Sequence, residues 1–187
     1  MADYLDIMGW VGSLRKASYN RMLMQVARAS MPPGMDIRLF DLGNLPLYND
    51  DLAAEDSHAG VTDFRHRLQA CDGLLIASPE YNFSITPVIK NAIDWASTNT
   101  LGNIINDKPA AMMGASNGNF GTTRGQLHLR QVLHAANARV VPRPEVLVRR
   151  AGEVFASDDG RLLDPALQDR IRTLLASLVE LIRSRND

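Results

Sequence analysis

The sequence is poor in cysteine, in uncompensated charge and in long apolar runs. Its 187 residues include a single cysteine, Cys71, which cannot form a disulfide within the chain and favours a reducing, cytoplasmic location. The formal net charge of -1 provides no overall field for nucleic acid, and it lacks the strong acidity of an electron-carrier protein. No apolar run reaches the roughly 20 residues of a membrane span, and the first residues lack the basic start of a signal peptide. We therefore expect a cytoplasmic protein with neither a nucleic-acid nor a membrane partner.

Several motifs of known chemistry are absent too. There is no G-x-x-x-x-G-K-[ST] sequence, and Gly9 and Gly12 lack the third glycine of a G-x-G-x-x-G fingerprint. The sequence therefore indicates neither a nucleoside triphosphate site nor the fingerprint of a classical dinucleotide site. The histidines show no metal-ligand spacing, and no Ser-His-Asp arrangement is evident. We predict no metal site and no nucleophilic side chain.

What the chain does contain is a regular alternation of strand-like and helix-like segments. Strands are predicted near residues 4–9, 35–42, 73–78, 109–116 and 138–148, and Pro142 and Pro144 make the fifth an edge or irregular strand. Helices are predicted over 18–29, around 61–68, from Thr86-Pro87, over 122–136 and from Asp164-Pro165. The pairs Thr86-Pro87 and Asp164-Pro165 each combine a capping residue with a proline in the first turn. The pattern predicts one α/β domain over residues 1–187. It has a five-stranded parallel sheet with helices on both faces, in three α/β/α layers.

Ligands of such sheets bind beyond the carboxyl ends of the strands, where three polar loops follow the first, third and fourth strands. The first loop, GSLRKASYN at residues 12–20, leads into a helix whose free N–H groups favour an anion. Ser13, Ser18 and Asn20 offer further hydrogen bonds, and Arg15 offers a charge-assisted contact. The alternative is a capped helix in which Ser18 bonds its own backbone and Arg15 points to solvent.

The other two loops suit a planar ring. Residues 79–82, PEYN, form a proline-bounded turn that can present rigid N–H groups and the flat face of Tyr81. In the third loop Ser116, Asn117 and Gly118 allow close backbone approach to a ligand. Ordinary connections are the alternative for each loop taken alone. An anionic tail on the first loop and a flat ring between the other two together describe FMN.

Three stretches, GSLRKASYN, PEYNFSITPVIKNAIDW and GQLHLRQVL, resemble the NADPH-dependent FMN reductase family, in particular its chromate and quinone reductase branch. The resemblance implies a flavodoxin-like fold, non-covalently bound FMN, and NADPH or NADH as co-substrate. It implies two-electron hydride transfer through FMN to quinones, flavins, azo compounds or chromate-like acceptors. It also implies a homodimer or homotetramer. The alternative is a non-enzymatic, flavin-binding regulatory module on the same fold.

The family's contact residues can be carried over position by position. The resemblance places no catalytic side chain, since flavin carries the chemistry; it assigns Tyr81 to the pocket wall, and Glu80 orders its own loop. Thr86-Pro87 stands in place of the family's Pro-Gly, and Leu127 replaces a common tyrosine. The implied phosphate contacts are Ser13, Arg15, Ser18, Tyr19 and Asn20, and the implied ring contacts are Pro79, Glu80, Tyr81, Asn82 and Ser116.

Overall fold

The computed structural model describes residues 4–55, 58–156 and 160–185. The two ends of the predicted 1–187 domain therefore lie outside the described residues. The described part contains a parallel sheet whose strands are β1 (Leu5–Val11), β2 (Met35–Phe40), β3 (Gly73–Ala77), β4 (Pro109–Ala115), β5 (Arg139–Val140) and β6 (Val146–Val148).

The strand order confirms the predicted flavodoxin-like sheet. The strands run β2-β1-β3-β4-β5, with β6 also paired to β4, and every pairing is parallel. The order reverses between β1 and β3, where the connections of a doubly wound sheet diverge and leave a crevice for ligands. The loops after β1, β3 and β4 therefore open at the edge that the sequence predicted.

Helices cover both faces of the sheet, each over its own apolar core. Alternate side chains of β1 supply the two cores, Ile7 to one and Met8 and Trp10 to the other. The first core lies under α1 (Tyr19–Ala29), α6 (Ala151–Val154) and α7 (Pro165–Arg183), and the second under α2 (Asp50–Glu55), α3 (Ala59–Ala70), α4 (Pro87–Ser97) and α5 (Thr123–Ala135). No helix among the described ranges is long and apolar enough to cross a membrane.

The fifth strand region is irregular, as its prolines predicted. It divides into β5, which pairs with the start of β4, and β6, which pairs with the end of β4. Pro142 and Pro144 lie between the two segments and have no backbone N–H to donate to a ladder. The division keeps β6 beside Ala115, at the carboxyl edge of the sheet.

One of the two predicted helix caps is wrong. Asp164 accepts hydrogen bonds from the backbone N–H groups of Ala166 and Leu167, as expected for a cap. Thr86 occupies the cap position of α4, but its hydroxyl makes no cap bond. That hydroxyl is fully buried and has no hydrogen-bond partner among the described residues, so core packing rather than capping decides its position.

A buried lysine closes the opposite end of the sheet. Lys108 precedes β4 and is 5% exposed, and its Nζ donates to the carbonyl oxygens of Cys71 at 2.6 Å and Gln69 at 3.3 Å. These carbonyls belong to the end of α3, where a cation complements the helix dipole. Burial lowers the pKa of Lys108 below its ordinary value of 10.5.

This lowered pKa predicts a pH dependence of stability. Between the folded-state pKa and 10.5 the unfolded chain binds more protons at Lys108 than the folded chain, so stability rises with pH in that window. We compare the free energies of unfolding of wild type and Lys108→Met. Their difference, wild type minus variant, should not change with pH well below this window and should increase as the pH rises toward 10.5. Urea unfolding across this pH range measures the difference. A difference that falls with pH would contradict the assignment.

Candidate active site

The three polar loops converge on one pocket at the carboxyl edge of the sheet. The pocket has a volume of about 210 Å³. Nine of the ten residues predicted from the sequence line it, and the structure adds Ala115 and Asn117. The lining consists of Ser13, Arg15, Ser18, Tyr19, Asn20, Pro79, Glu80, Tyr81, Ala115, Ser116 and Asn117.

Gly12 allows the first loop to lie against the end of β3. Its N–H donates to the Ala77 carbonyl at 2.8 Å, which continues the β1–β3 pairing by one residue. A Cβ at this position would lie 2.5 Å from the Ser78 Oγ and 2.9 Å from the Ser78 Cβ. Only glycine allows this approach without displacement of Ser78, and the loop turns away from the sheet directly afterwards.

The first loop presents a row of free backbone donors. Within the described part of the chain, no acceptor bonds the backbone N–H groups of residues 13–19. Ser13 is 5% exposed, and its hydroxyl has no hydrogen-bond partner among the described residues. The Arg15 guanidinium lies 5.7 Å from the centre of the Tyr19 ring and pairs with no described carboxylate. Free N–H groups at a helix N-terminus beside an uncompensated cation form an anion-binding surface.

Two predicted contacts of this loop also have structural roles. The Ser18 Oγ accepts from the Asn20 N–H at 3.2 Å and so caps α1. Asn20 is 2% exposed, and its side-chain amide donates to the Ala115 carbonyl at 2.8 Å and accepts from the Ala115 N–H at 2.9 Å. Asn20 thus fixes the first loop against the end of β4, beside the third loop.

The second loop is fastened to the first turns of α5. The Glu80 carboxylate accepts from the Gly125 N–H at 2.9 Å and lies 3.8 Å from the Arg124 guanidinium. The Ser84 hydroxyl lies 2.7 Å from the His128 Nδ1. Glu80 therefore orders its loop, as expected, and its oxygens already have partners.

The tip of this loop is a two-residue hairpin. Tyr81 and Ser84 exchange two backbone hydrogen bonds, of 3.0 and 2.9 Å, around Asn82 and Phe83. Asn82 is the one predicted contact that does not line the pocket, because it forms a corner of this turn with φ of 49°. Tyr81 lines the pocket and is 48% exposed, as suits a wall residue.

The third loop is held by α6. The Ser116 carbonyl accepts from the Ala151 N–H at 3.1 Å, and the Asn117 Oδ1 accepts from the Gly152 N–H at 2.9 Å. Asn117 is one of the third-loop residues that the sequence predicted to allow close backbone approach to a ligand, although it is not among the contacts carried over from the family. Ala115 was not predicted, because an alanine side chain has no functional group that would indicate a site.

A larger cavity lies elsewhere. It has a volume of about 880 Å³, lies between the β6 region and α7, and includes Arg143, Arg149 and Arg170 among its lining residues. It contains none of the predicted contacts. Its larger size is therefore no reason to place the functional site there.

The donors at the carboxyl edge fit the groups of FMN. Free N–H groups and Arg15 suit a phosphate, and the pocket continues between the second and third loops, where a flat ring would lie. Residues 5–153 match the family described as NADPH-dependent FMN reductase. The chain belongs to this family. The family match confirms the resemblance found in the sequence, and with it the predicted fold, the FMN cofactor and the use of NAD(P)H.

Individual relatives of this reductase agree. It is 44% identical to an NAD(P)H-dependent FMN reductase of Pseudomonas aeruginosa over 178 residues, which cover 95% of each chain. It is 39% identical to an NAD(P)H:quinone oxidoreductase of Solanum tuberosum, over 93% of this chain and 91% of the relative. Its fold is similar to that of FerB, a flavoenzyme NAD(P)H:(acceptor) oxidoreductase from Paracoccus denitrificans. The TM-score is 0.87 at 33% identity, with 96% and 98% of the two chains covered. These relatives favour an enzyme over a non-enzymatic module.

Proposed function

We propose that this reductase transfers two electrons from NAD(P)H to quinones and free flavins, with FMN held by the three loops at the carboxyl edge of the sheet. The chemistry that FMN supplies when bound is hydride uptake from NAD(P)H and return of two electrons to the acceptor. One observation carries the placement: residues 13–19 keep their backbone N–H groups free at the pocket that Tyr81 and Ser116 share.

The first loop would bind the phosphate. The N–H groups of residues 13–19 and the Ser13 hydroxyl donate hydrogen bonds, and the α1 N-terminus adds a partial positive charge. Arg15 adds a planar, charge-assisted contact. Tyr19 packs against Arg15. Ser18 caps α1, and Asn20 bonds the loop to Ala115 at the end of β4.

The second and third loops would position the ring. The backbone of residues 79–81 and Ser116 would face it from two sides, and Tyr81 would form the wall of the acceptor pocket. Because Glu80 is bonded to Gly125, the second loop is held in place before any ligand arrives. A preformed, oriented backbone stabilises charge without reorganisation.

The remaining expectations follow from the family resemblance. We propose azo compounds and chromate-like species as further acceptors, a homodimer or homotetramer as the assembly, and the cytoplasm as the compartment. The lone buried Cys71 supports the last of these. The relatives include proteins named for NAD(P)H, so both nicotinamides belong in any assay.

Anaerobic titration of the purified protein tests this function. We expect the flavin absorbance to bleach on addition of NADPH or NADH, and to return when a quinone is added. Denaturation of the same protein should release its FMN into solution and leave no flavin covalently attached to the chain. A protein that takes up no FMN, or whose flavin stays oxidised with both nicotinamides, would contradict the proposal.

A further inference from the structure

An arginine lies close to two exposed aromatic rings beside the second loop of the site. The Arg124 guanidinium is 4.1 Å from the centre of the Phe83 ring and 4.5 Å from that of Phe120. Phe83 is 68% exposed and Phe120 is 60% exposed. Since the guanidinium covers only part of each ring, both keep apolar surface open to solvent. We call Phe83, Phe120 and Arg124 the aromatic lip.

The lip has a fixed position beside the second loop. Phe83 follows Tyr81 by two residues, and Tyr81 lines the pocket. Arg124 precedes Gly125, whose N–H bonds the Glu80 carboxylate, and a Cβ on Gly125 would lie 3.2 Å from both the Glu80 Cβ and the Ser84 carbonyl oxygen. The hairpin tip and the start of α5 are therefore in close contact, and the lip lies next to Glu80 and Tyr81, which line the pocket.

The backbone of Phe83 is strained. Its φ is 64°, in the left-handed region, where a residue with a Cβ is less stable than glycine. Two-residue hairpins of this kind favour glycine at the second corner, and asparagine, found here at the first, tolerates it. An exposed phenylalanine gains little from burial that would offset such a cost. Backbone strain retained at the edge of a site indicates a role for the side chain.

The charge of Arg124 is paired with a carboxylate. Its guanidinium lies 3.8 Å from the Glu80 carboxylate, whose side chain is 9% exposed, and within 4.5 Å of the centres of both rings. A guanidinium in this position acts less as a free cation than as a rigid plate beside the rings. Arg124 is thus a positioning residue for the lip.

We propose that the aromatic lip binds the electron acceptor by stacking, and that it selects flat, fused-ring acceptors over compact ones. This rests on the proposed function, since the acceptor must reach the pocket beside Tyr81. Offset stacking of aromatic rings contributes beyond the area that it buries. The lip adds this contribution at the entrance, outside the groups that hold the cofactor.

The test compares two acceptors with the FMN-loaded enzyme. For Phe83→Ala we expect a rise of about 3- to 10-fold in KM for 2-methyl-1,4-naphthoquinone, the range that one aromatic contact supports. The kcat/KM for ferricyanide, which has no ring to stack, should stay within about 2-fold, since no aromatic contact is lost there. The FMN content should equal that of wild type. Phe120→Ala should act in the same direction. Leu47→Ala changes an exposed apolar residue on another loop that does not line the pocket, and it should alter the kinetics with neither acceptor.

A second variant separates function from folding. Phe83→Gly removes the ring and also relieves the positive φ, so we expect the same rise in KM together with a higher melting temperature. Arg124→Lys keeps the charge but loses the planar faces, and its KM for the naphthoquinone should rise with little change in kcat.

Other outcomes would overturn the proposal. An unchanged naphthoquinone KM in both phenylalanine variants, or equal losses with both acceptors, would show that the lip is not an acceptor contact. A change in oligomeric mass with an unchanged KM would show that it joins copies of the chain. A wild-type protein that holds FMN but reduces neither acceptor would instead refute the proposed function, and the lip's role with it.

Discussion

The Arg15→Ala variant is expected to bind FMN about 10- to 100-fold more weakly than wild type, the loss that one charge-assisted contact supports. Arg15 is exposed, pairs with no described carboxylate, and stands beside the free N–H groups of residues 13–19. Removal of its charge should therefore weaken phosphate binding without exposing any buried group. Isothermal titration of the apoprotein with FMN measures the effect, and riboflavin, which has no phosphate, should bind both proteins equally.

Lys16→Ala is the matched control for this change. Lys16 is the next cation on the same loop, but it does not line the pocket. We expect its removal to change FMN affinity less than about 3-fold, as for a screened surface charge. If Lys16→Ala weakened binding as much as Arg15→Ala, the loop would act through its net charge alone, and the proposed contact at Arg15 would fail.

The Asn20→Ala variant is expected to lose roughly 2–5 kcal/mol of unfolding free energy, because two buried backbone groups each lose a partner. The Asn20 amide bonds both the N–H and the carbonyl of Ala115, which lies 95 residues away in the chain. Alanine cannot replace either bond, and the site is 2% exposed, so water does not readily take the place of the amide. Chemical denaturation of the two proteins measures the difference.

Asn103→Ala provides the comparison. Its amide makes one bond, to the carbonyl of Ala136 at 3.0 Å, in a partly buried position. Loss of this bond should cost about 1 kcal/mol, typical of a single hydrogen bond. Equal costs for the two asparagine variants would show that Asn20 does not join α1 to β4 in the way that the distances indicate.

The sequence predicted the sheet and its active edge because local signals agreed there. The apolar runs at 73–78 and 109–116 are buried strands, and the polar loops that follow them line the pocket. The run at 73–78 is short, continuously apolar and followed by Pro79, a pattern typical of a strand that is buried on both faces. The motif GSLRKASYN added a chemical reason to expect an anion at the same edge.

Other features depend on contacts that no local pattern contains. Asn20 was predicted as a ligand contact, but its amide is bonded to Ala115, a partner known only once β4 lies beside α1. Thr86 fits the pattern of a helix cap, yet its hydroxyl is buried without one. The aromatic lip joins residues from two loops and a helix start, which only the folded chain brings together.

A crystal structure of the protein with FMN tests the central claim most directly. The account predicts phosphate oxygens within hydrogen-bonding distance of backbone N–H groups among residues 13–19 and of the Arg15 guanidinium, with the ring between Tyr81 and Ser116. A phosphate bound outside this loop, for example in the larger cavity beside Arg143 and Arg170, would contradict it.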